Sequence, residues 1–379
     1  MPFKKILYAG LFAAAFGTSS AMAAEDIEIA VAGPMTGQLA NIGDQFKQGA
    51  QAAAAAINEK GGIAGRKIKL VIEDDVCDPK QAVSIANRIV AAGIKFVDGH
   101  ACSGSSIPAS AVYAEAGVLM MTPASSNPEL TDAAAKNGWP TIMRLYTRDD
   151  AQGEFVGPWI AEKYKGKNVV VLHDKGAYGK GLADAVKGKM NEAGLKEILY
   201  DGINAGEKDY SALVTKLKDL KADFVYFGGY HQEAGLILRQ AADQNFKFQL
   251  MMGDSIASPD FWAVSGPAAE GVIFTFPANP QARPEAKAAV EKIKAGGFVP
   301  DGFTLFSYAV VEAFAQGIER AGSDDPAKVA EVLKDGKPVN TVIGPIVFDE
   351  KGDIKDAKYD INIWHDGAYA PIKEEFLHR

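Results

Sequence analysis

The chain has 379 residues, of which 47% are hydrophobic and 23% charged, and its mean hydropathy is −0.05. This balance excludes a disordered chain, a collagen-like fibre and a polytopic membrane protein, and the length favours two lobes over a single core. Forty basic against 48 acidic residues give a formal charge of −8, the wrong sign for a protein that binds nucleic acid over a broad surface.

Residues 1–24 have the pattern of an export signal. Two lysines precede an apolar stretch from 6 to 16, and residues 21–23 (Ala-Met-Ala) form a small-x-small cleavage site. The apolar stretch is too short to span a bilayer, and no later stretch reaches about 18 uncharged apolar residues. We expect an exported, soluble, periplasmic protein that is cleaved before Ala24 or Glu25. Because no cysteine stands at the cleavage site, we expect no lipid anchor.

The first block after the signal alternates strands with helices. Asp78 is expected to cap the second helix, with Pro79 at its first position. The predicted strands are 27–32, 68–73, 95–98 and 118–122, and the predicted helices are 44–59, 79–92 and 105–116.

The chain has only two cysteines, Cys77 and Cys102, both within this block. In an exported protein with one such pair, a disulfide is favoured over two free thiols. A structural metal site is not indicated, because neither CxxC spacing nor a histidine cluster accompanies them. The pair therefore predicts a disulfide and an oxidising, periplasm-like compartment.

A second block begins after Arg144 and repeats the alternation. Its predicted helices are 151–164, 180–193, 210–220 and 231–245, and its predicted strands are 168–173, 197–200, 223–227, 249–253 and 272–276. The remainder is predicted to contain helices 284–294, 304–321 and 326–334, then β-like runs 341–348 and 359–364 joined by a polar turn around 351–353. Strands separated by helices indicate two α/β lobes, each a mainly parallel sheet with helices on both faces.

Motifs of common enzymes are absent from the sequence. It contains no GxSxG, HExxH, GxGxxG or GxxxxGK[ST] pattern. Segment 176–181 (GAYGKG) resembles a phosphate loop only superficially, because its spacing is wrong and Tyr178 would occupy the cradle. The five histidines are scattered, with no pair at i and i+4. We therefore expect no enzyme activity, no cofactor and no metal.

Candidate ligand contacts follow the predicted strands, since open α/β sheets bind ligands beyond the carboxyl ends of their strands. In the first block these loops are 100–106 (HACSGSS) and 123–128 (PASSNP), rich in hydroxyls and amides. In the second block they carry Tyr178, Tyr230 and Asp254. Amides suit a carboxylate, Asp254 suits an ammonium and the aromatic rings suit an apolar side chain. The set therefore suits a zwitterionic amino acid.

The same loops also have purely structural explanations. A serine at the start of a helix, such as Ser103, is more often a cap than a ligand contact when the loop is considered alone. Asn127 and Asp254, taken singly, would likewise be read as caps. The ligand interpretation depends on the whole set.

Several ungapped segments of the chain match those of one known family. They are GGI at 61–63, DVCDPKQA at 75–82, GHACS at 99–103, TPA at 122–124, VLHDK at 171–175 with YG at 178–179, AGEKD at 205–209, FGGYH at 227–231, GP at 344–345 and FDEKGD at 348–353. From Asp26 to about Gly367 the chain resembles the leucine/isoleucine/valine-binding proteins of periplasmic ABC transporters.

The resemblance implies a type I periplasmic binding protein fold, in which three hinge crossovers join two lobes. Lobe 1 would comprise 25–144 and 277–353, and lobe 2 would comprise 145–276 and 354–379. The implied function is capture of a branched-chain or related aliphatic amino acid by a monomer, without cofactor, for the membrane permease of an ABC transporter. The alternative is an amino-acid or amide sensor of the same fold with no transport role.

The resemblance also implies roles for individual residues. Those expected to hold the ligand's α-carboxylate and α-ammonium are Ser103, Ala124, Ser126 and Asp254. Those expected to close from the second lobe are Tyr178 and Tyr230. Those expected to line the side-chain pocket are Ile42, Ala101, Cys102 and Phe303.

Two positions depart from the family pattern and bear on which amino acid is bound. Ile42 stands where the family carries an aromatic residue, and Asp254 stands where a longer glutamate is common. Because Ile42 and Ala101 leave a roomy wall, we expect leucine, isoleucine or phenylalanine to bind better than alanine, unless Phe276 fills the space.

Overall fold

The computed structural model describes Met1 and residues 25–355 and 358–373. The predicted export signal therefore falls, Met1 apart, outside the described residues. Within the described ranges, no helix combines the length and the apolar character that a bilayer crossing requires.

The described strands form two larger sheets and one small hairpin. The strands are β1 (Ile27–Gly33), β2 (Ile68–Asp74), β3 (Phe96–Gly99), β4 (Leu119–Thr122), β5 (Ile142–Arg144), β6 (Val169–His173), β7 (Leu199–Gly202), β8 (Phe224–Gly228), β9 (Gln249–Met252), β10 (Ile273–Pro277), β11 (Val339–Thr341), β12 (Gly344–Ile346), β13 (Tyr359–His365) and β14 (Ala368–Pro371). The first sheet has the order β2-β1-β3-β4-β5 and is parallel throughout. The second has the order β14-β13-β10-β9-β8-β6-β7, in which β13 is antiparallel to both neighbours.

Helices follow most strands and cover the sheets. They are α1 (Ala40–Glu59), α2 (Pro79–Ala91), α3 (Ser103–Glu115), α4 (Glu129–Asn137), α5 (Asp149–Lys163), α6 (Ala177–Glu192), α7 (Ser211–Asp219), α8 (His231–Asp243), α9 (Pro259–Ser265), α10 (Lys287–Ala295), α11 (Thr304–Ala321) and α12 (Pro326–Leu333). The predicted cap of α2 is confirmed, because Asp78 Oδ1 accepts from the Gln81 N–H at 2.8 Å.

Both faces of the first sheet are buried under helices, which confirms the predicted α/β class. Ile29 and Val31 of β1 join an apolar cluster with residues of α1 and α11. Ala30 and Ala32, which point to the opposite face, join another cluster with residues of α2 and α3. A strand that is buried on both faces is expected to be apolar along its length, as β1 is apart from Glu28 near its start.

Some elements differ from the sequence prediction. The short elements α4, β5 and β14 were not predicted, because nine, three and four residues give too little periodicity. The run 341–348 is not one strand, since Gly344 (φ 96°) reverses the chain into the β11–β12 hairpin. The other β-like run becomes β13, which pairs with β10 in the second sheet.

Arg144 is fully buried at the end of β5 and fixes the loop that follows β4. Its Nε donates to Asp353 Oδ1 at 2.8 Å. Its Nη1 donates to the carbonyl oxygens of Ser125 and Asn127 at 3.1 and 2.9 Å. A buried guanidinium is tolerated only when it is paired and hydrogen-bonded, as it is here. The network therefore holds the loop 123–128 in place.

Asp98 of β3 predicts a pH dependence of stability. Its carboxyl is fully buried, Oδ2 accepts from Ser307 Oγ at 2.5 Å, and Oδ1 has no partner among the described residues. Burial raises the pKa of this carboxyl well above its usual value, whereas an unfolded aspartate titrates near about 3.9. The folded state therefore keeps a proton that the unfolded state releases, so the stabilisation is full below about pH 4 and is lost as the pH rises.

Asp98→Asn should remove this contribution. Between pH 5 and 8, the free energy of unfolding of the wild type should fall relative to the variant by up to about 1.4 kcal/mol per pH unit. Urea unfolding at several pH values measures the difference, with the exposed Asp219→Asn as control. Parallel pH profiles of the wild type and Asp98→Asn would contradict a protonated Asp98 in the fold.

Candidate functional site

A small cavity lies between the two sheets, at the carboxyl ends of their parallel strands. Its described lining consists of Ile42, Ala101, Cys102, Ser103, Ala124, Tyr178, Tyr230, Asp254, Ser255 and Phe303. All of these residues are buried except Tyr230, which is half-buried. The fold thus brings together every residue of the predicted site except Ser126, and it adds Ser255.

The ends of parallel strands bring the lining residues to one place. Ala101, Cys102 and Ser103 follow β3, and Ala124 follows β4. From the second sheet, Tyr178, Tyr230 and Asp254 follow β6, β8 and β9. This is the position that the sequence analysis assigned to the ligand loops.

Helix α6 begins three residues earlier than predicted, and this places Tyr178 in its first turn. The aromatic ring is therefore held by a helix and not by a flexible loop. Gly253 leaves the space that the Tyr178 hydroxyl needs, because a Cβ at Gly253 would lie 2.7 Å from that oxygen. Tyr230 precedes α8 as its cap residue, and its ring lies 5.3 Å from the Tyr178 ring between centroids.

Asp254 is the acidic residue of the cavity, and tyrosine hydroxyls occupy both of its oxygens. Tyr146 Oη donates to Oδ2 at 2.6 Å, and Tyr178 Oη donates to Oδ1 at 2.8 Å. Asp254 opens a short 3₁₀ turn and makes no side-chain cap bond, so the structural explanation as a cap does not apply. Sequence reasoning missed Tyr146, since no motif marks it and Asp254 lies 108 residues away.

The electrostatics of Asp254 favour a cationic partner. Burial raises the pKa of its carboxyl, and the two tyrosine hydrogen bonds oppose this effect only in part. Burial and the nearby Asp254 raise the pKa of Tyr146 and Tyr178 above the ordinary phenol value, so both hydroxyls stay protonated and donate. A buried anion that lacks a full counter-charge is stabilised by an ammonium group placed beside it.

The opposite wall is formed by the start of α3. Ser103 is the first residue of α3, Cys102 precedes it as the cap residue, and no side chain caps this helix. Ser103 Oγ accepts from the Asn127 N–H at 3.2 Å, so Ser103 does not play the capping role. Asn127 is not a cap either, because the cap residue of α4 is Pro128; its Oδ1 accepts from the Glu129 N–H at 2.9 Å in the turn before α4. The positive end of the α3 dipole and the Ser103 hydroxyl suit a carboxylate.

Apolar side chains form the rest of the lining. Ile42 lies in the first turn of α1, which begins four residues earlier than predicted. Phe303 belongs to an aromatic cluster in which its ring lies 5.3 Å from Tyr146 and 6.3 Å from Phe276. Phe276 is buried in this cluster and is not among the residues that line the cavity. Phe276 is therefore not the residue that faces the cavity beside Ile42 and Ala101, and the ligand preference expected from these two residues stays a prediction.

The predicted disulfide is confirmed. Cys77 and Cys102 are bonded, with their Cα atoms 5.6 Å apart. Cys102 also lines the cavity, so the bond ties the turn after β2 to the cavity wall.

Ser126 is 1% exposed and lies outside the cavity lining. Its carbonyl accepts from the N–H of Asp149, the first residue of α5, at 2.9 Å. Burial raises the pKa of the Asp149 carboxyl to about 8. The predicted contact of Ser126 with a ligand remains a prediction.

Hydrogen bonds close the two sides of the cavity against each other. Asn127 Nδ2 donates to the Ala177 carbonyl at 2.6 Å, beside Tyr178. Asn41 Nδ2 donates to Ser258 Oγ at 3.2 Å, beside Ile42. Together with the burial of the lining residues, these bonds describe a closed cleft.

Elsewhere, the fold brings Glu270, His365 and Asp366 together at the turn between β13 and β14. All three are exposed, and the imidazole is hydrogen-bonded to Glu270. Exposed ion pairs of this kind are common, so we assign no metal to them.

Comparisons of sequence identify relatives of the whole chain. The sequence model of the family described as "Periplasmic binding protein" matches residues 26–361. The Leu/Ile/Val-binding protein homolog 1 of Brucella suis is 45% identical over 365 residues, which cover 96% of this chain and 97% of that protein. An amino acid binding protein of Pseudomonas aeruginosa is 46% identical over 373 residues, covering 97% of this chain and 98% of that protein.

Comparisons of structure agree with those of sequence. A leucine-binding protein of Thermotoga maritima has a TM-score of 0.83 at 29% identity, covering 92% of this chain and 98% of that chain. A branched-chain amino acid transporter substrate-binding protein of Streptococcus pneumoniae, solved with isoleucine, has a TM-score of 0.82 at 25% identity, covering 92% and 99%. Solute-binding proteins of this kind are not enzymes, which confirms that expectation. The chain belongs to the periplasmic binding protein family and has its two-lobed type I fold.

Proposed function

We propose that this protein captures a branched-chain or related aliphatic amino acid between two closing lobes. The main support for the proposal is the closed cavity, whose walls differ from one another in charge and polarity. One wall carries the Asp254 carboxylate, held by Tyr146 and Tyr178, and suits the ligand's ammonium group. A second wall, made by Ser103 and the start of α3, suits the ligand's carboxylate. A third, made by Ile42 and Phe303, suits its apolar side chain.

The residue roles in the proposal are those that the family resemblance implies, and the cavity lining supports them for every residue except Ser126. Asp254 pairs with the α-ammonium, Ser103, Ala124 and Ser126 hold the α-carboxylate and α-ammonium, and Tyr178 and Tyr230 close over the ligand. Leucine has about nine non-hydrogen atoms, so the limit of about −1.5 kcal/mol per atom for very small ligands allows micromolar or tighter binding.

The lobes and hinge of the proposal are those implied by the sequence. Residues 25–144 and 277–353 form lobe 1, 145–276 and 354–379 form lobe 2, and closure turns about three crossovers. Sheet membership supports this division, because β1–β5 make one sheet while β6–β10 and β13–β14 make the other. Ligand binding shifts the population toward the closed form only by its preference for that form.

Delivery to a membrane permease completes the proposal. The protein is exported, its signal is removed, and the closed monomer docks on the permease of an ABC transporter. The names of the relatives support this role, since the Streptococcus pneumoniae neighbour is described as a transporter substrate-binding protein.

A thermal-shift panel of amino acids on residues 25–379 tests the ligand class. Leucine, isoleucine and valine at a hundredfold excess over their dissociation constants should each stabilise the fold by about 2.7 kcal/mol. D-leucine is the control. Because its configuration at the α-carbon is inverted, its ammonium, carboxylate and side chain cannot all contact their respective walls of the cavity at once. The absence of a shift with every aliphatic or small amino acid would refute the proposal.

Ile42→Trp tests whether cavity volume sets selectivity. The larger ring should overfill the side-chain wall and weaken leucine binding by about 1–3 kcal/mol, with a smaller loss for valine. Calorimetric titration with both ligands measures the difference, and Ile42→Val is the control that keeps the shape of the wall. Equal losses for both ligands, or no loss, would show that Ile42 does not touch the ligand side chain.

A further inference from the structure

A buried histidine lies directly behind the loop that forms the carboxylate wall. The His100 side chain is fully buried and hydrogen-bonded at both ring nitrogens. Nδ1 is 2.6 Å from Asp75 Oδ2, and Nε2 is 3.0 Å from Tyr113 Oη. Because a carboxylate only accepts, Nδ1 carries the proton and the ring is fixed in orientation by Asp75.

The main chain of His100 is held as firmly as its side chain. Its carbonyl oxygen accepts from Thr122 Oγ1 at 2.6 Å, and the hydrogen-bonded pair of Ser125 Oγ and Ser106 Oγ lies 3.1 and 3.2 Å from it. These hydroxyls come from the end of β4, from the loop after it and from α3. His100 is therefore the point at which both loops of the first sheet that line the cavity are joined.

Asp75 connects His100 to the disulfide. Its Oδ1 accepts from the Cys77 N–H at 2.8 Å while its Oδ2 binds the His100 ring. Cys77 is bonded to Cys102, and Cys102 lies two residues after His100 and one residue before Ser103. The segment 100–103 is thus fixed by a side chain, a carbonyl group and a covalent bond, although only its last three residues reach the cavity.

A role in the core alone does not explain this arrangement. Tyr113 belongs to an apolar cluster that includes Ile85, Ala86 and Ala109, and an apolar side chain would fill such a space without desolvating a carboxylate. A fully satisfied buried network of polar groups instead gives one defined geometry. This network borders Ser103, at the carboxylate wall, through the disulfide-bonded Cys102.

We propose that His100 is a positioning residue for recognition of the ligand carboxylate, with Asp75 and Tyr113 fixing its ring. The inference rests on the proposed function and deepens it, because it assigns discrimination between a free carboxylate and an uncharged amide to groups that never touch the ligand. Loss of the network displaces Ser103 and the start of α3, while Asp254 and its two tyrosine partners stay in place. Ala101 and Cys102 of the same segment line the part of the cavity that faces the ligand side chain, which leucine and leucinamide share, so a shift there weakens both ligands alike.

The test compares L-leucine with L-leucinamide, which keeps the ammonium and side chain but lacks the carboxylate. Calorimetry gives both dissociation constants for the wild type, His100→Ala, His100→Asn and Tyr113→Phe. The preference for leucine should fall about tenfold or more in His100→Ala, since one of the lost hydrogen bonds is to a charged group. His100→Asn can still donate a hydrogen bond toward Asp75, so it should retain part of the preference for leucine over leucinamide. Tyr113→Phe should lower the preference for leucine by about two- to fivefold, because it removes one hydrogen bond.

Asp98→Asn is the matched control, because Asp98 is a buried residue two positions from His100 whose carboxyl contacts α11 and not α3. It should leave the leucine-to-leucinamide preference unchanged. If His100→Ala does not fold, His100→Asn and Tyr113→Phe decide the question. Equal losses of affinity for both ligands in these variants would overturn the positioning role and leave the proposed function standing. A wild type that binds no leucine would overturn the proposed function and this inference with it.

Discussion

Asp254→Asn should weaken leucine binding by about 2–5 kcal/mol, the cost of leaving a buried ligand ammonium without its charged partner. Both oxygens of Asp254 already accept tyrosine hydroxyls, so the carboxylate is held in place before a ligand arrives. Asparagine preserves the shape but removes the charge. Calorimetric titration with leucine measures the loss.

The ligand-free stability of the same variant separates binding from folding. Burial raises the pKa of the Asp254 carboxyl, so removal of the charge should leave the unliganded melting temperature unchanged or raise it. Asp98→Asn makes the same chemical change at a buried aspartate outside the cavity and should bind leucine as the wild type does. An Asp254→Asn variant with unchanged affinity would show that Asp254 is not the ammonium partner.

Loss of the disulfide should have the second largest effect. The bond closes a loop with a sequence separation of 25, and the chain-entropy account gives about 3 kcal/mol of stabilisation for a loop of this length. Replacing Cys77 and Cys102 by alanine should lower the free energy of unfolding by that amount, as measured by urea unfolding. Leucine affinity should also fall, because Cys102 lines the cavity.

Chemical reduction of the wild type is the matched control for the double variant, since it breaks the same bond without changing the sequence. Both should unfold at similar urea concentrations. Mass spectrometry of the non-reduced protein after alkylation should find no labelled cysteine. Two alkylated cysteines, or an unchanged free energy of unfolding in the double variant, would contradict a stabilising disulfide.

Local sequence signals were enough to predict much of the fold. The apolar run of β1 and the capping pair Asp78-Pro79 predicted their elements correctly, because each depends on neighbouring residues alone. The cavity lining was predicted largely through the resemblance to a known family, helped by the rule that ligands bind beyond the carboxyl ends of parallel strands. Ser255 follows Asp254 in the same loop and was within reach of that rule.

Contacts between distant parts of the chain were not predictable from these signals. Tyr146 reaches Asp254 across 108 residues, and Arg144 reaches Asp353 across 209. Neither tyrosine nor arginine carries a local mark of such a partner. His100 was predicted to belong to a ligand loop and not to have a role of its own, because that role depends on Asp75, which the parallel order of β1, β2 and β3 brings to it, and on Tyr113 of α3.

Calorimetric titration of residues 25–379 with L-leucine tests the central claim most directly. Capture of one amino acid in the cavity predicts one binding site per chain, a dissociation constant in the micromolar range or tighter, and no heat of binding with D-leucine. The absence of saturable binding of L-leucine, isoleucine and valine under the same conditions would contradict the account.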